Sequence, residues 1–515
     1  MAPQKNMAAL LLLCAAGALA SPVLAEATGA DDADRATEAE VQRLLADMTL
    51  TEKARQLDIW RTADILTNGK IDKLKAIAHW GDLGAGVGVL HDVYPYSQMA
   101  NEMMGFILNA SRLKIPPLFG GEATHGLQMD DHTIFPSPIS LAATWDTGLM
   151  ERYGRVVGSE ARACGMHVTW SPVLGLCREP RWGRCEEMMG EDTHLAAELG
   201  RASIKGFTDG TNFTSDAAVA PLMKHYLAYS APEGGHNCAP AHVGRRELLT
   251  TFLPPFSAGM EAGAQALMVS YNEVDGEPNA QSSYVLTDLP RHQLGGNGPR
   301  GTPFDGYVSS DFGAISNLLN NHRTVANATA AIVAYIAAGG SVQGFDFDHK
   351  TWHDGVVGGV RSGALPVAAL DLAVSRVLRV KVRLGLMAQP FVQDTSLYHK
   401  RVTSAAHEQV ALEAARKAMV LLQNEPDTAL GSSKPVLPLN PTALKSLAVL
   451  GPNADQPQCG DYAAGGSWGG DHCGGGPINN NRTSSVLGGI KALAPHLALT
   501  YAPGVSIAEF DPNAS

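Results

Sequence analysis

Gly306-Tyr307-Val308-Ser309-Ser310-Asp311-Phe312-Gly313-Ala314-Ile315 is the stretch on which the reading of this chain turns. It has the form of a short apolar strand that ends in a carboxylate and turns through a glycine. An ionised Asp at such a place is costly unless its charge is used. Asp311 either caps the following helix, with Gly313 in the turn, or stands at a working face of a sheet. The surrounding chain decides between these.

The same pattern recurs along the chain. Strand candidates are 85–90 before His91-Asp92, 117–121 before Glu122, 167–176, 219–223 before Lys224-His225, 266–271 before Asn272-Glu273, and 307–310 before Asp311. A weaker seventh lies at 336–344. Helical text separates them. Thr49-Leu50-Thr51-Glu52 has capping-box spacing and opens a short helix through Leu57. Asp146 is placed to cap a helix that runs to Cys164 and stops at Gly165. Strands alternating with helices imply parallel pairing through crossovers. Six or seven such units favour an α/β fold of (β/α)8 TIM-like barrel type over an open sheet. Polar residues gather at the strand C-termini, the face on which such barrels place their active sites.

The 515 residues allow one to three domains, and a 45% hydrophobic content supports a large core. The formal charge of −12, with no basic run, argues against a nucleic-acid partner. Residues 1–25 read as a secretory signal: Lys5, an apolar run from Ala8 to Ala20, then small-x-small sites ending at Ala20 and Ala25. The run is too short to span a bilayer, and no later stretch is long and apolar enough, so no membrane partner is expected. The protein is expected to be secreted, or to reside in a cell wall, periplasm or vacuole. Residues 27–35 read as disordered. Residues 36–386 form the barrel, 387–435 a linker and connecting helix (helical over 403–424), and 436–515 the start of an α/β/α sandwich whose first strand is Leu447-Ala448-Val449-Leu450. That last segment is too short for a complete domain, so truncation is expected.

Six cysteines follow the signal. Cys177 and Cys185 flank one short loop and Cys459 and Cys473 flank a Gly-rich one; each pair can close its loop. Cys164 and Cys238 are either a pair or two free thiols. Asn-x-Ser/Thr sequons, such as those at Asn109 and Asn212, matter only in a glycosylating host.

The strand-end set Glu122, His125, Arg178, Arg181, Arg184, Lys224, His225, Tyr271 and Asp311 suits a ligand rich in hydroxyls, with one carboxylate left to attack. Neither a metal-ligand motif nor a phosphate-binding glycine fingerprint is present, and no cofactor is implied. Glycoside hydrolysis, which needs an attacking and a protonating carboxyl group, is the chemistry that fits.

Several motifs resemble glycoside hydrolase family 3: Gly121-Glu122-Ala123-Thr124-His125-Gly126, Cys177-Arg178-Glu179-Pro180-Arg181-Trp182-Gly183-Arg184-Cys185, Met223-Lys224-His225-Tyr226, Met268-Val269-Ser270-Tyr271-Asn272 and Val308-Ser309-Ser310-Asp311. The resemblance runs from about Leu44 to the end. It implies a retaining exo-acting β-glycosidase that removes terminal β-D-glucosyl residues from oligosaccharides, with Asp311 as nucleophile. It assigns Glu122, Arg184, Lys224, His225 and Tyr271 to the sugar, and Cys177–Cys185 to a disulfide that pins the Arg loop in some members. A cation near Asp311 would lower its pKa and keep it ionised. Glu122 stands where glucosidase-like members more often carry Asp and xylosidase-like members often carry Glu, so a β-xylosidase is the alternative. An inactive carbohydrate-binding or truncated relative is another. The family's acid/base Glu has no match here and stays unassigned. Arg178 and Arg181 are expected to brace their loop against Glu186, Glu187 or Glu191, Glu191-Asp192 to cap a helix, and Glu233 to approach the site.

Overall fold

The computed structural model describes residues 32–91, 97–129, 131–293, 303–426, 428, 433–463 and 483–504. The proposed signal at 1–25 and the residue Cys473 lie outside these.

Seven strands form one parallel sheet in chain order: β1 (Ile59–Arg61), β2 (Val89–His91), β3 (Leu118–Glu122), β4 (Val168–Trp170), β5 (Ala220–Tyr226), β6 (Ala266–Val269) and β7 (Tyr307–Ser310). The ring closes through 341–343. Val342 bridges Ser309 of β7, and Gln343 bridges Asp58 just before β1. The architecture is therefore a (β/α)8-type barrel whose eighth staple is a few bridging residues. The strand β1 was not legible: it is three residues long and ends in an exposed Arg. Of the stretch 336–344, the first residues finish the helix Ala328–Ala338, and only 342 and 343 pair.

The helices follow their local signals. Thr49 and Glu52 make the reciprocal capping-box contacts, and the helix is Leu50–Gln56. Asp146 accepts from the Leu149 N–H to start Thr147–Cys164, which stops at Gly165 in the left-handed region (φ 94°). Asp192 caps Thr193–Phe207 in the same way. These two long helices pack against each other at Gly154 and Gly206. A Cβ on Gly154 would meet the Ser203 carbonyl at 2.3 Å, so neither position tolerates a side chain.

Two expectations change. Residues 32–35 are not disordered but belong to the helix Asp32–Asp47. That helix buries Val41, Leu44 and Leu45, and its acidic face meets the helix Val367–Arg383 through Glu38–Arg379 at 2.7 Å. The linker packs on the barrel: Asn101 and Val392 exchange two hydrogen bonds, and Tyr398 is buried. The connecting helix is Ala405–Lys417 and ends before Met419–Leu422, whose side chains are exposed. Beyond it, Ser446–Leu450 pairs in parallel with Ala498–Ala502 across the helix Val486–Leu493, a βαβ unit. Among the described residues no helix is long and apolar enough to cross a membrane.

Buried Glu160 joins the barrel to the connecting helix. It accepts from Thr133 N (3.0 Å), Thr133 Oγ1 (2.6 Å), Thr403 N (3.1 Å) and His407 Nδ1 (2.8 Å). Burial acts to raise its pKa, but His407, His132 and Thr133 outweigh that and hold it below the ordinary value. Its stabilisation is therefore full above the ordinary carboxylate pKa of 4.5 and is lost as pH falls through the lower folded value. Glu160→Ala should cost about 3 kcal/mol at pH 7. The gap from wild type should narrow in acid, as urea denaturation at pH 7 and pH 3.5 would show.

Candidate active site

The polar side chains converge at the C-terminal ends of the strands. Glu122 ends β3, Lys224 and His225 lie near the end of β5, Tyr271 follows β6, and Asp311 follows β7. The pairing of β5 with β6 shifts register between Met223 and Tyr226. Such irregularities re-aim side chains at a barrel rim, and Lys224 and His225 lie within this one.

Lys224 Nζ donates to Glu122 Oε2 at 2.6 Å, and the two side chains are only 1% and 9% exposed. This ion pair spans β4 and ties β3 to β5. Burial raises the Glu122 pKa against the pull of Lys224. Arg184 grips Glu187 with two nitrogens, Nε to Oε1 at 2.6 Å and Nη2 to Oε2 at 3.0 Å, and Nη1 donates to Tyr229 OH at 3.2 Å. Burial would weaken the guanidinium charge, but Glu187 holds its pKa above the usual value. Arg184 is carried on the loop closed by the Cys177–Cys185 disulfide, whose Cα atoms are 5.1 Å apart.

His225 Nε2 lies 3.4 Å from Asp311 Oδ2 and 3.4 Å from Arg184 Nη2. Burial, with Arg184 and Lys224 adding to it, depresses its pKa well below the ordinary value, so the imidazole is neutral at pH 7. Asp311 Oδ1 accepts from the Phe312 N–H at 2.7 Å, and the Tyr271 hydroxyl donates to the carboxylate. The net pKa of Asp311 is nonetheless raised. Burial outweighs Arg184, Tyr271 and Lys224, contrary to the expectation that nearby cations keep it low.

Several side chains fall elsewhere. His125 is buried and bonded at both ring nitrogens, to Phe135 O (2.8 Å) and Asp461 O (2.6 Å), so it braces. Arg178 is exposed, and Arg181 pairs with Glu179 at 2.6 Å rather than with Glu186, Glu187 or Glu191. Exposed Glu233 faces His242 at 3.2 Å instead of the site. Cys164 and Cys238 are free; burial pushes the Cys164 thiol up to about 12. Cys459 is disulfide-bonded. Among the described residues no three His, Cys, Asp or Glu side chains are grouped to hold a metal ion.

Two residues escaped the sequence reading. Buried Asp346 accepts from Ser310 Oγ (2.5 Å), Ile315 N (2.5 Å), Ser316 N (3.0 Å) and Gly344 N (3.2 Å), which fastens the turn that carries Asp311. Burial pushes its pKa up to about 7 despite those donors. Tyr462 comes from the segment after the connecting helix, and its hydroxyl meets Arg184 Nη2 at 3.4 Å. An acidic residue shortly after the last barrel segment was the available signal for Asp346; nothing local marked Tyr462.

A model described as the glycosyl hydrolase family 3 N-terminal domain matches residues 49–380. The chain belongs to glycoside hydrolase family 3. Among curated family members, it is 30% identical over 479 residues to a periplasmic beta-glucosidase of Salmonella typhimurium, covering 92% of this chain and 56% of that protein. It is 31% identical over 417 residues to a beta-xylosidase of Formosa agariphila, covering 78% and 54%. A β-glucosidase structure from Erythrobacter marinus matches with a TM-score of 0.79 at 28% identity, over 92% of this chain and 59% of that one. A Listeria innocua beta-glucosidase solved with glucose matches at 0.77 and 26%, over 92% and 61%. The chain thus spans little more than half the length of these curated relatives.

Removing one partner of a buried ion pair strands the other. Lys224→Met should lower stability by about 3–5 kcal/mol, while the double change Lys224→Met with Glu122→Gln should recover much of that loss. Chemical denaturation of the four proteins of the cycle would measure the coupling.

Proposed function

We propose that this chain is the catalytic barrel of a retaining exo-β-glycosidase acting through a covalent glycosyl-enzyme on Asp311. The observation that carries this reading is the setting of Asp311: a buried carboxylate at the end of β7, hydrogen-bonded by Tyr271, beside a neutral His225 and within the field of Arg184 and Lys224. An Asp311 oxygen attacks the anomeric carbon, the bond to the leaving-group oxygen breaks, and water then cleaves the ester. The Lys224–Glu122 ion pair and Arg184 provide strong hydrogen bonds for sugar hydroxyls, and such bonds can tighten as the ring flattens toward the oxocarbenium ion. The neutral His225 adds a donor without placing a proton charge against the nucleophile.

The strand motifs favour a terminal β-D-glucosyl residue, and the relatives named beta-glucosidase support that reading. Glu122 favours a second reading, a β-D-xylosyl residue, which relatives named beta-xylosidase support. The substrate is an oligosaccharide. Export to a secreted or periplasmic location rests on the N-terminal sequence and on the Salmonella relative's name. The proton donor to the leaving group is unassigned. Activated aryl glycosides, which need little protonation, are therefore the substrates of choice.

A 2-deoxy-2-fluoro aryl β-glucoside should label the protein with one glucosyl group, and peptide mapping should place it on Asp311. Labelling elsewhere would overturn the assignment, and labelling by the xylose analogue alone would establish the second reading. Because burial raises the Asp311 pKa, the acid limb of kcat/KM should lie above the ordinary 3.8, with activity falling as pH falls through it. Arg184→Met should move that limb to still higher pH.

A further inference from the structure

Tyr462 reaches the cationic side of this pocket from outside the barrel. Lys224 Nζ lies 4.7 Å from its ring centroid, and its hydroxyl lies 3.4 Å from Arg184 Nη2. The charges of Glu122, Glu187 and Asp311 also bear on the phenol. One aromatic side chain therefore stands among the groups offered to the sugar, and it takes up room there.

The backbone beneath the ring is anchored. Asp461 gives its carbonyl to His125 Nε2 at 2.6 Å and its N–H to Glu186 Oε1 at 3.4 Å. Tyr462 itself sits in the left-handed region (φ 59°), and Cys459, three residues back, is disulfide-bonded. The ring can give way only by rotating its own side chain, which breaks its contacts with both cations. Glu122 crowds the same space, because its carboxylate is locked on Lys224.

We propose that Tyr462 is a specificity residue that narrows the glycosyl pocket, disfavouring a hexosyl ring with its exocyclic hydroxymethyl group relative to a pentosyl ring. The proposal rests on reading the Asp311 pocket as the glycosyl site. One extra carbon against a pocket wall discriminates by about 10–200-fold. Tyr462 sets this ratio whichever sugar the wild-type protein prefers.

The test compares wild type, Tyr462→Ala and Tyr462→Phe, each confirmed folded by circular dichroism, on 4-nitrophenyl β-D-glucopyranoside and β-D-xylopyranoside. Tyr462→Ala should raise the glucoside-to-xyloside ratio of kcat/KM about tenfold or more, and Tyr462→Phe, which keeps the ring, should hold it within about twofold. Calorimetric titration with glucono-δ-lactone and xylono-δ-lactone gives the same ratio without turnover. A ratio unchanged in Tyr462→Ala by both measurements, including an equal loss with both sugars, would overturn the proposal. Asp311→Asn serves as the separate control. Undiminished hydrolysis by that variant would sink the nucleophile assignment, whereas the Tyr462 ratio would still report on the pocket wall.

Discussion

A buried ammonium–carboxylate pair, Lys224 with Glu122, is the constraint on which the site depends. Two charges withdrawn from water repay their desolvation only at close range and with good geometry. The 2.6 Å contact meets that condition and links two strands that are not neighbours in the sheet. The pair also freezes two of the groups that we assign to the sugar. A hydroxyl entering there meets donors and acceptors already in place, so binding spends little on ordering them.

Around the pair, burial and charge pull in opposite directions, and burial prevails at Asp311 and Glu122. Asp311 and Glu122 sit above their ordinary pKa values although each has a cation close by. His225 is driven the other way and stays neutral. Arg184 is the exception, because two bonds to buried Glu187 anchor its charge. The pocket is thus a place where charge is expensive and each charged group has a named partner. Asp346 extends the pattern behind the nucleophile, where a carboxylate is held by three backbone N–H groups and one hydroxyl.

How much was legible varies with the range of the signal. Caps and stops were read correctly, because Thr49 with Glu52, Asp146 with Gly165, and Asp192 act within four residues of themselves. Six barrel strands were found from apolar runs ending in polar residues. The strand Ile59–Arg61 was missed because three residues carry no periodicity, and its strand character comes from pairing with Val89–His91. Residues 32–35 looked disordered because their run is polar, and a cationic partner for Asp34 lies on a helix more than 300 residues later, in Arg383 at 3.8 Å. The partner of Arg181 was misjudged for the opposite reason: Glu179, two residues away, was nearer than the acidic residues beyond the disulfide.

Legible in the linear chain were the α/β class, the barrel, the family resemblance and the place of Glu122, Lys224, His225, Tyr271 and Asp311 at strand ends. These depend on local periodicity and on motif order, which a linear chain displays. Folding alone fixes which polar residues face one another, that burial raises Asp311 rather than cations lowering it, and that Tyr462 stands beside Lys224 and Arg184. Desolvation and through-space contact belong to the packed state, in which residues 238 positions apart lie against each other, as Lys224 and Tyr462 do.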